Sequence, residues 1–178
     1  MSYWKRATTD QLQALKAACK GKVVLDIGGF DASLANEVIN GGATKVTVLD
    51  KENPTMSQNL HPGKITQHMA TFAEFARNNQ QNWDVGIISW PANNEFAMRP
   101  VVEILKRCKQ IIYLGSNQEG TQCGTLALWE YLVTRNVEQA IETRNQQFIV
   151  YGQQPRPAGS ALLKEEVDGL EAGKCMYA

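Results

Sequence analysis

The strongest constraint in this chain is a pair of apolar runs that each end in an acid. They are Val23-Val24-Leu25-Asp26-Ile27-Gly28-Gly29 and Val46-Thr47-Val48-Leu49-Asp50. The second acid falls 24 residues after the first, which leaves room for a glycine-containing loop and one helix between two strands. Two strands joined in that way are expected to lie parallel. Both acids then sit at the carboxyl ends of their strands, where open α/β sheets bind ligands.

The alternation continues along the chain. Thr8-Thr9-Asp10-Gln11 forms a capping box ahead of Leu12, Leu15 and Cys19 at helical spacing, with Gly21 as the stop. Leu34, Val38 and Ile39 line a helix that ends at Gly41-Gly42. Residues 51–63 contain Pro54, Pro62 and Gly63 and form a loop before a strand at 65–69. Thr71 to Glu74 is a second capping box, opening a helix with Phe72, Phe75 and Ala76 inward. Val85-Gly86-Ile87-Ile88 is a strand suited to burial on both faces. Pro100 is expected in the first turn of a helix, where its missing N–H costs nothing, with Val101, Leu105 and Cys108 following. Ile111 to Leu114 reads as a strand, residues 115–120 as a glycine-rich loop, and Leu126, Trp129, Leu132 and Val133 as a helix. Residues 137–143 and 147–151 flank Arg144-Asn145-Gln146 with no helix between them, so they are expected to form an antiparallel hairpin.

The expected fold is α/β: a single doubly wound, mostly parallel seven-stranded sheet, helices on both faces, and a C-terminal antiparallel β-hairpin. Residues 1–154 are expected to form that domain. Residues 155–178 are rich in Pro, Gly and charge and are expected to be a partly flexible tail, with a short helix at 162–167 and fraying after it.

Bulk properties narrow the partners. Eighteen basic residues balance eighteen acidic ones, so no overall field draws the chain to nucleic acid or to an anionic membrane. A nucleic-acid partner is therefore disfavoured without being excluded, because a local basic patch is compatible with a neutral total. No apolar run approaches the ~20 residues of a membrane helix. The first six residues lack the apolar core of a signal peptide, so a cytoplasmic protein is expected. Cys19, Cys108, Cys123 and Cys175 contain no Cys-x-x-Cys pair, and His61 and His68 lie near no cysteine cluster, so no metal site is expected.

The order of elements with its terminal hairpin resembles the class I S-adenosylmethionine-dependent methyltransferases, over roughly residues 8–152. Val24-Leu25-Asp26-Ile27-Gly28-Gly29 looks like the family's first motif, a strand running into Asp/Glu-x-Gly-x-Gly-x-Gly. Val48-Leu49-Asp50 looks like its second, and Trp83-Asp84-Val85-Gly86-Ile87-Ile88-Ser89-Trp90-Pro91 looks like its fourth strand. There are departures. The family's second and third glycines fall on Phe30 and Ala32, and Thr71 stands where an acid usually follows the third strand.

The resemblance implies S-adenosyl-L-methionine as cofactor, with Asp26, Gly28, Gly29, Phe30, Asp50, Lys51, Thr71, Phe72 and Ser89 as cofactor-binding candidates. Asp26 would fix the loop backbone and sit near the cofactor's ammonium, or serve only as a structural acid that bonds loop amides. Asp50 would accept the ribose hydroxyls, or belong to a polar turn. If it faces an empty cleft it is solvated, and its loss barely changes stability. Phe72 would flank adenine, fill the core, or both. Trp90, Pro91, Asn93, Asn94 and Cys123 are candidates for binding the acceptor, the plainer readings being a packed Trp, a Pro-Asn turn and an unreactive thiol.

The reaction implied is attack of an acceptor atom on the sulfonium methyl. With little chain beyond the core, the acceptor is expected to be a small molecule, or else one bound over an open surface formed by residues 89–99 and 115–124. The alternative is a non-catalytic module that holds S-adenosylmethionine or a nucleotide and acts through a partner. An NAD-dependent oxidoreductase is a third reading, weakened because Gly28-Gly29-Phe30 breaks the Gly-x-Gly-x-x-Gly fingerprint.

Overall fold

A computed structural model describes residues 3–52, 59–92, 94–116 and 124–175. After a 3-10 turn at Tyr3–Arg6 the elements run α1 (Thr9–Cys19), β1 (Val23–Ile27), α2 (Ser33–Asn40), β2 (Lys45–Asp50), β3 (Ile65–Met69), α3 (Phe72–Asn78) and β4 (Trp83–Ser89). They continue with α4 (Glu95–Leu105), β5 (Cys108–Ser116), α5 (Leu126–Leu132), β6 (Val137–Glu142), β7 (Gln146–Tyr151) and α6 (Lys164–Cys175). The seven strands form one sheet in the order β3-β2-β1-β4-β5-β7-β6. The first five are parallel, and β7 lies antiparallel to both β5 and β6.

Strand alternation divides the core into two layers. Leu25, Ile27, Leu49, Ile88, Tyr113 and Tyr151 face one side, where they meet Val101, Leu105, Trp129 and Leu132. Val24, Val46, Val48, Val85, Ile87, Ile112 and Val150 face the other, under Leu15, Cys19, Leu34 and Val38. Both capping boxes form as their sequences require: Thr8 with Gln11 at α1, and Thr71 with Glu74 at α3.

Three expectations are corrected. The helix carrying Pro100 begins at Glu95, with Asn94 as its cap, so Pro100 lies inside it and not in its first turn. Cys108 belongs to β5, which starts three residues earlier than the apolar run suggests; only Lys106 and Arg107 separate helix from strand. The C-terminal helix is not a short one at 162–167 but runs Lys164–Cys175, and it docks through buried acids. Glu166 is wholly buried and accepts from Arg156 Nη1 at 2.7 Å, Arg156 Nη2 at 2.9 Å, Tyr151 Oη at 2.9 Å and the Leu163 amide at 2.8 Å. The neighbouring Glu165, also buried, accepts from Tyr113 Oη at 3.2 Å. Gly169 completes the contact, since a Cβ there would overlap the Trp129 indole.

Candidate functional site

Strand order reverses between β1 and β4, so the crevice at the switch point opens above their carboxyl ends. A cleft of about 520 Å³ lies there. Its floor comes from the ends of four strands: Ile27 and Gly28 after β1, Asp50 on β2, Ala70 after β3, and Ile88 and Ser89 on β4. One wall is the start of α3, with Thr71, Phe72 and Ala73. The other is the 90–94 segment and the start of α4, with Trp90, Asn94, Phe96 and Met98. Mostly apolar walls with a few polar groups are what small-molecule sites use.

Of the sequence candidates, Gly28, Asp50, Lys51, Thr71, Phe72, Ser89, Trp90, Pro91 and Asn94 line this cleft together. Asp26 on β1 and Gly29 and Phe30 in the loop after it stand at its edge but do not line it. Asn93 and Cys123 lie outside the described residues. Phe96, Ala97, Met98, Pro100 and Val101 line the cleft without having been singled out as site residues. The signal that could have found them is the Asn94 cap: a helix begun there aims its first two turns at the site, and Pro100 hid that start.

The β1–α2 loop follows the glycine pattern in conformation where it departs from it in sequence. Gly28 has φ 71° and Phe30 has φ 61°, so the first two glycine positions of the motif are both left-handed. A non-glycine residue held there costs roughly 1–2 kcal/mol, and such strain concentrates at functional sites. The Phe30 ring turns outward, 43% exposed, and so does not narrow the cleft. The Phe72 ring lies against the vacant side of Gly28, where a Cβ would come within 3.3 Å of it. Phe72 also packs against the core, as its plainer reading expects, while its ring lines the cleft.

Asp50 is not merely solvated. Phe30 N–H donates to its Oδ2 at 3.0 Å and Glu52 N–H to its Oδ1 at 3.0 Å. The carboxylate thus holds the strained residue of the loop, and each oxygen keeps a lone pair. Thr71, in the place of the usual acid, is occupied as a helix cap: its hydroxyl accepts from the Glu74 amide at 3.1 Å. Trp90 is held at φ 47°, with its amide on Leu114 O at 2.7 Å. Asn94 caps α4 by accepting from the Phe96 amide at 3.0 Å.

Asp26 behaves differently from its structural reading. Its side chain is wholly buried, and neither carboxylate oxygen has a hydrogen-bond partner among the described residues. It therefore does not bond the loop amides. Gly29 covers it directly, since a Cβ there would overlap Asp26 Oδ2. Burial, reinforced by the Asp31 and Asp50 carboxylates, pushes its pKa up to about 7. A buried acid without partners is costly and is rarely kept without reason.

The sequence matches no protein-family model and no curated protein. Solved structures do match. TrmK from M. capricolum, in complex with the natural cofactor product S-adenosyl-homocysteine, superposes with TM-score 0.61 at 16% identity, covering 89% of this chain and 74% of that one. The N-methyltransferase NodS from Bradyrhizobium japonicum gives TM-score 0.63 at 12% identity, covering 83% and 94%. An O-methyltransferase family protein from Burkholderia thailandensis gives 0.61 at 11%, covering 85% and 55%. The chain shares the Rossmann-like α/β fold of these methyltransferase structures. At such identities the likeness carries the fold, and the chemistry rests on the cleft's own residues. Among the described residues no helix is long and apolar enough to cross a membrane.

Proposed function

We propose that this protein is an S-adenosylmethionine-dependent methyltransferase. The observation that carries the reading is Asp26, an unpartnered buried carboxylate directly beneath the Gly28-Gly29 turn, at the edge of a cleft that sits on the switch point. An acid there is stabilised by a ligand that brings a positive charge to the loop, and the methionine ammonium is such a charge. Asp50 offers its spare lone pairs to a pair of ribose hydroxyls, and Phe72 offers a ring face beside Gly28 to a planar base.

When bound, the cofactor supplies a methyl group on a sulfonium centre. The chain's part is positioning. Trp90 and Pro91 at the end of β4 and Phe96 and Met98 on α4 enclose the side of the cleft where an acceptor would enter. Holding two reactants in line and apart from water supplies much of the rate without a titrating dyad.

Thermal unfolding with S-adenosylhomocysteine and NAD in parallel tests the reading. A ligand at a hundred times its dissociation constant adds ~2.7 kcal/mol of stability. The midpoint is expected to rise with S-adenosylhomocysteine and not with NAD. The reverse result would replace a transferase by a dinucleotide-binding protein.

Asp50 gives a second test, with two readouts. Losing a charged hydrogen-bond partner costs ~1.5–3 kcal/mol, so Asp50→Ala is expected to weaken S-adenosylhomocysteine roughly ten- to hundredfold. It is also expected to lower the stability of the free protein by about 1 kcal/mol, because the Phe30 and Glu52 amides lose their acceptor at an exposed site where water partly replaces it. Asp50→Asn keeps one acceptor oxygen and recovers part of both. Calorimetric titration and denaturant melts of the three forms check this, and equal affinities would place the ribose elsewhere.

A further inference from the structure

Two further depressions continue from the cleft. A groove of about 570 Å³ between α3 and α4 shares Ala73 and Pro100 with it, and has Ala76, Val102 and Ala127 in its walls. A third depression, of about 340 Å³, shares Arg107 with that groove and lies at the opposite end of β5 from the cleft. Together the two are lined by Arg77, Arg99, Lys106, Arg107, Lys109 and Arg135, and by a single acid, Glu103. Glu95 and Asp84 stand beside the path as partners of Arg99 and Lys109, so six cations face three acids, a local excess in a chain of net charge +0.

Arg77, Arg99, Lys106 and Lys109 are available to an anion, whereas Arg107, which donates to Asn79 O and to Ala76 O at 2.8 Å, contributes fixed charge. Arg77 has no ion-pair partner among the described residues. Arg99 lies 3.4 Å from Glu95, Lys106 2.8 Å from Glu103 and Lys109 3.6 Å from Asp84. Exposed pairs of this kind are worth at most ~1 kcal/mol, so a phosphate competes with them readily. Arg135 adds fixed positive charge from below: it is 5% exposed and donates to Lys109 O, Gly152 O, Leu105 O and Tyr131 Oη, all neutral. At the cleft end of the path stands Phe96, 91% exposed, one turn before Arg99 and Pro100 on α4. An exposed ring at the mouth of a cationic groove is the pairing used to bind single-stranded nucleic acid, with bases stacked and the backbone tracked by charge.

We propose that the methyl acceptor is a single-stranded polynucleotide whose backbone follows the α3/α4 groove while one base enters the cleft past Phe96. This rests on the methyltransferase reading for the word acceptor, but not for the binding path. It differs from the small-molecule acceptor expected from the little chain beyond the core. It differs too from the expectation against nucleic acid drawn from net charge, which averages the path against acids elsewhere on the surface.

The probe is a fluorescein-labelled 20-nucleotide single-stranded RNA, with DNA of the same sequence and poly-glutamate as separate arms, titrated at several salt concentrations. The variants are Arg77→Glu, Arg99→Glu and the double exchange; both side chains are exposed, and the Arg99 exchange gives up its bond to Glu95 at 3.4 Å, so denaturant melts of each variant accompany the titrations. The parent is expected to bind RNA or DNA with a steep salt dependence. The double variant is expected to bind roughly tenfold more weakly at low salt, with the log–log salt slope reduced by about 1.4, or ~0.7 per lost phosphate contact on a single strand. Phe96→Ala should weaken binding with the slope unchanged. A preference for RNA over DNA, or the reverse, upholds the path and names the source. Absence of binding at low salt, binding undisturbed in the double variant, or poly-glutamate bound as tightly as RNA would overturn it, the last in favour of an acidic protein partner. S-adenosylhomocysteine binding is measured on the same samples. If the polynucleotide binds and that ligand does not, the path stands and the methyltransferase reading fails.

Discussion

Asp26→Asn is expected to stabilise the free protein at pH 8 and to weaken S-adenosylhomocysteine at the same time. The first effect follows from linkage. The carboxyl has its pKa pushed up to about 7 in the folded protein. In the unfolded chain it titrates near ~3.9. A raised carboxyl pKa favours the folded state fully only below the unfolded value. That advantage is lost as pH rises from about 4 through about 7, and above 7 the fold carries a buried charge with no partner. Asparagine of the same shape carries no charge at any of these pH values. The gain at pH 8 is on the order of 2–4 kcal/mol, reduced by whatever the unpaired amide costs, and it should close towards pH 5. Binding moves the other way, because the substitution removes the counter-charge for the ligand's ammonium, a loss of roughly ten- to hundredfold in affinity. Denaturant melts at pH 5 and pH 8, with calorimetric titration, separate the possibilities. An Asn form less stable than the parent at pH 8 would show that the carboxylate has a partner in solution. Unchanged affinity would mean the ammonium is held elsewhere.

The sheet was legible in the sequence because its strands are buried on both faces and read as nearly unbroken apolar runs. The capping boxes at Thr8 and Thr71 were legible because each is complete within four residues. The α4 boundaries were not. Proline is favoured in a helix's first turn, so Pro100 pulled the expected start downstream of Asn94. Cys108, at the right spacing for that helix, in fact opens β5. The glycine motif looked eroded because a sequence lists side chains, and φ is what the turn requires: Phe30 adopts the left-handed conformation without being glycine. The partners of the acids were the least legible of all. Asp50 bonds an amide 20 residues away, and Asp26 bonds nothing among the described residues, yet both stand at the end of an apolar strand.

The C-terminal helix makes the same point with the larger energy. Pro155, Pro157 and Gly159 followed by charge read as a fraying tail, because nothing local buries Glu165 or Glu166. Their hydroxyl partners, Tyr113 and Tyr151, lie 52 and 15 residues back in the chain. Arg156→Ala is expected to destabilise the protein by about 3–5 kcal/mol, the cost of breaking a buried pair and leaving its acid uncompensated. The Arg156 and Glu166 side chains are 9% and 0% exposed, so solvent cannot replace the lost guanidinium. Glu166→Gln should cost less, since the amide oxygen still accepts from Tyr151 or Leu163 and no lone carboxylate remains. The pair Lys106–Glu103, at 51% and 57% exposure, is the control, and Glu103→Ala should change stability by under about 1 kcal/mol. Denaturant melts give the energies, and hydrogen exchange locates them: in Arg156→Ala the amides of α6 should lose protection before those of β1 and β4. Equal costs for the buried and the exposed pair, or uniform loss of protection along the chain, would mean that α6 is held by its Trp129 and Gly169 contact and that the two glutamates add nothing to the docking.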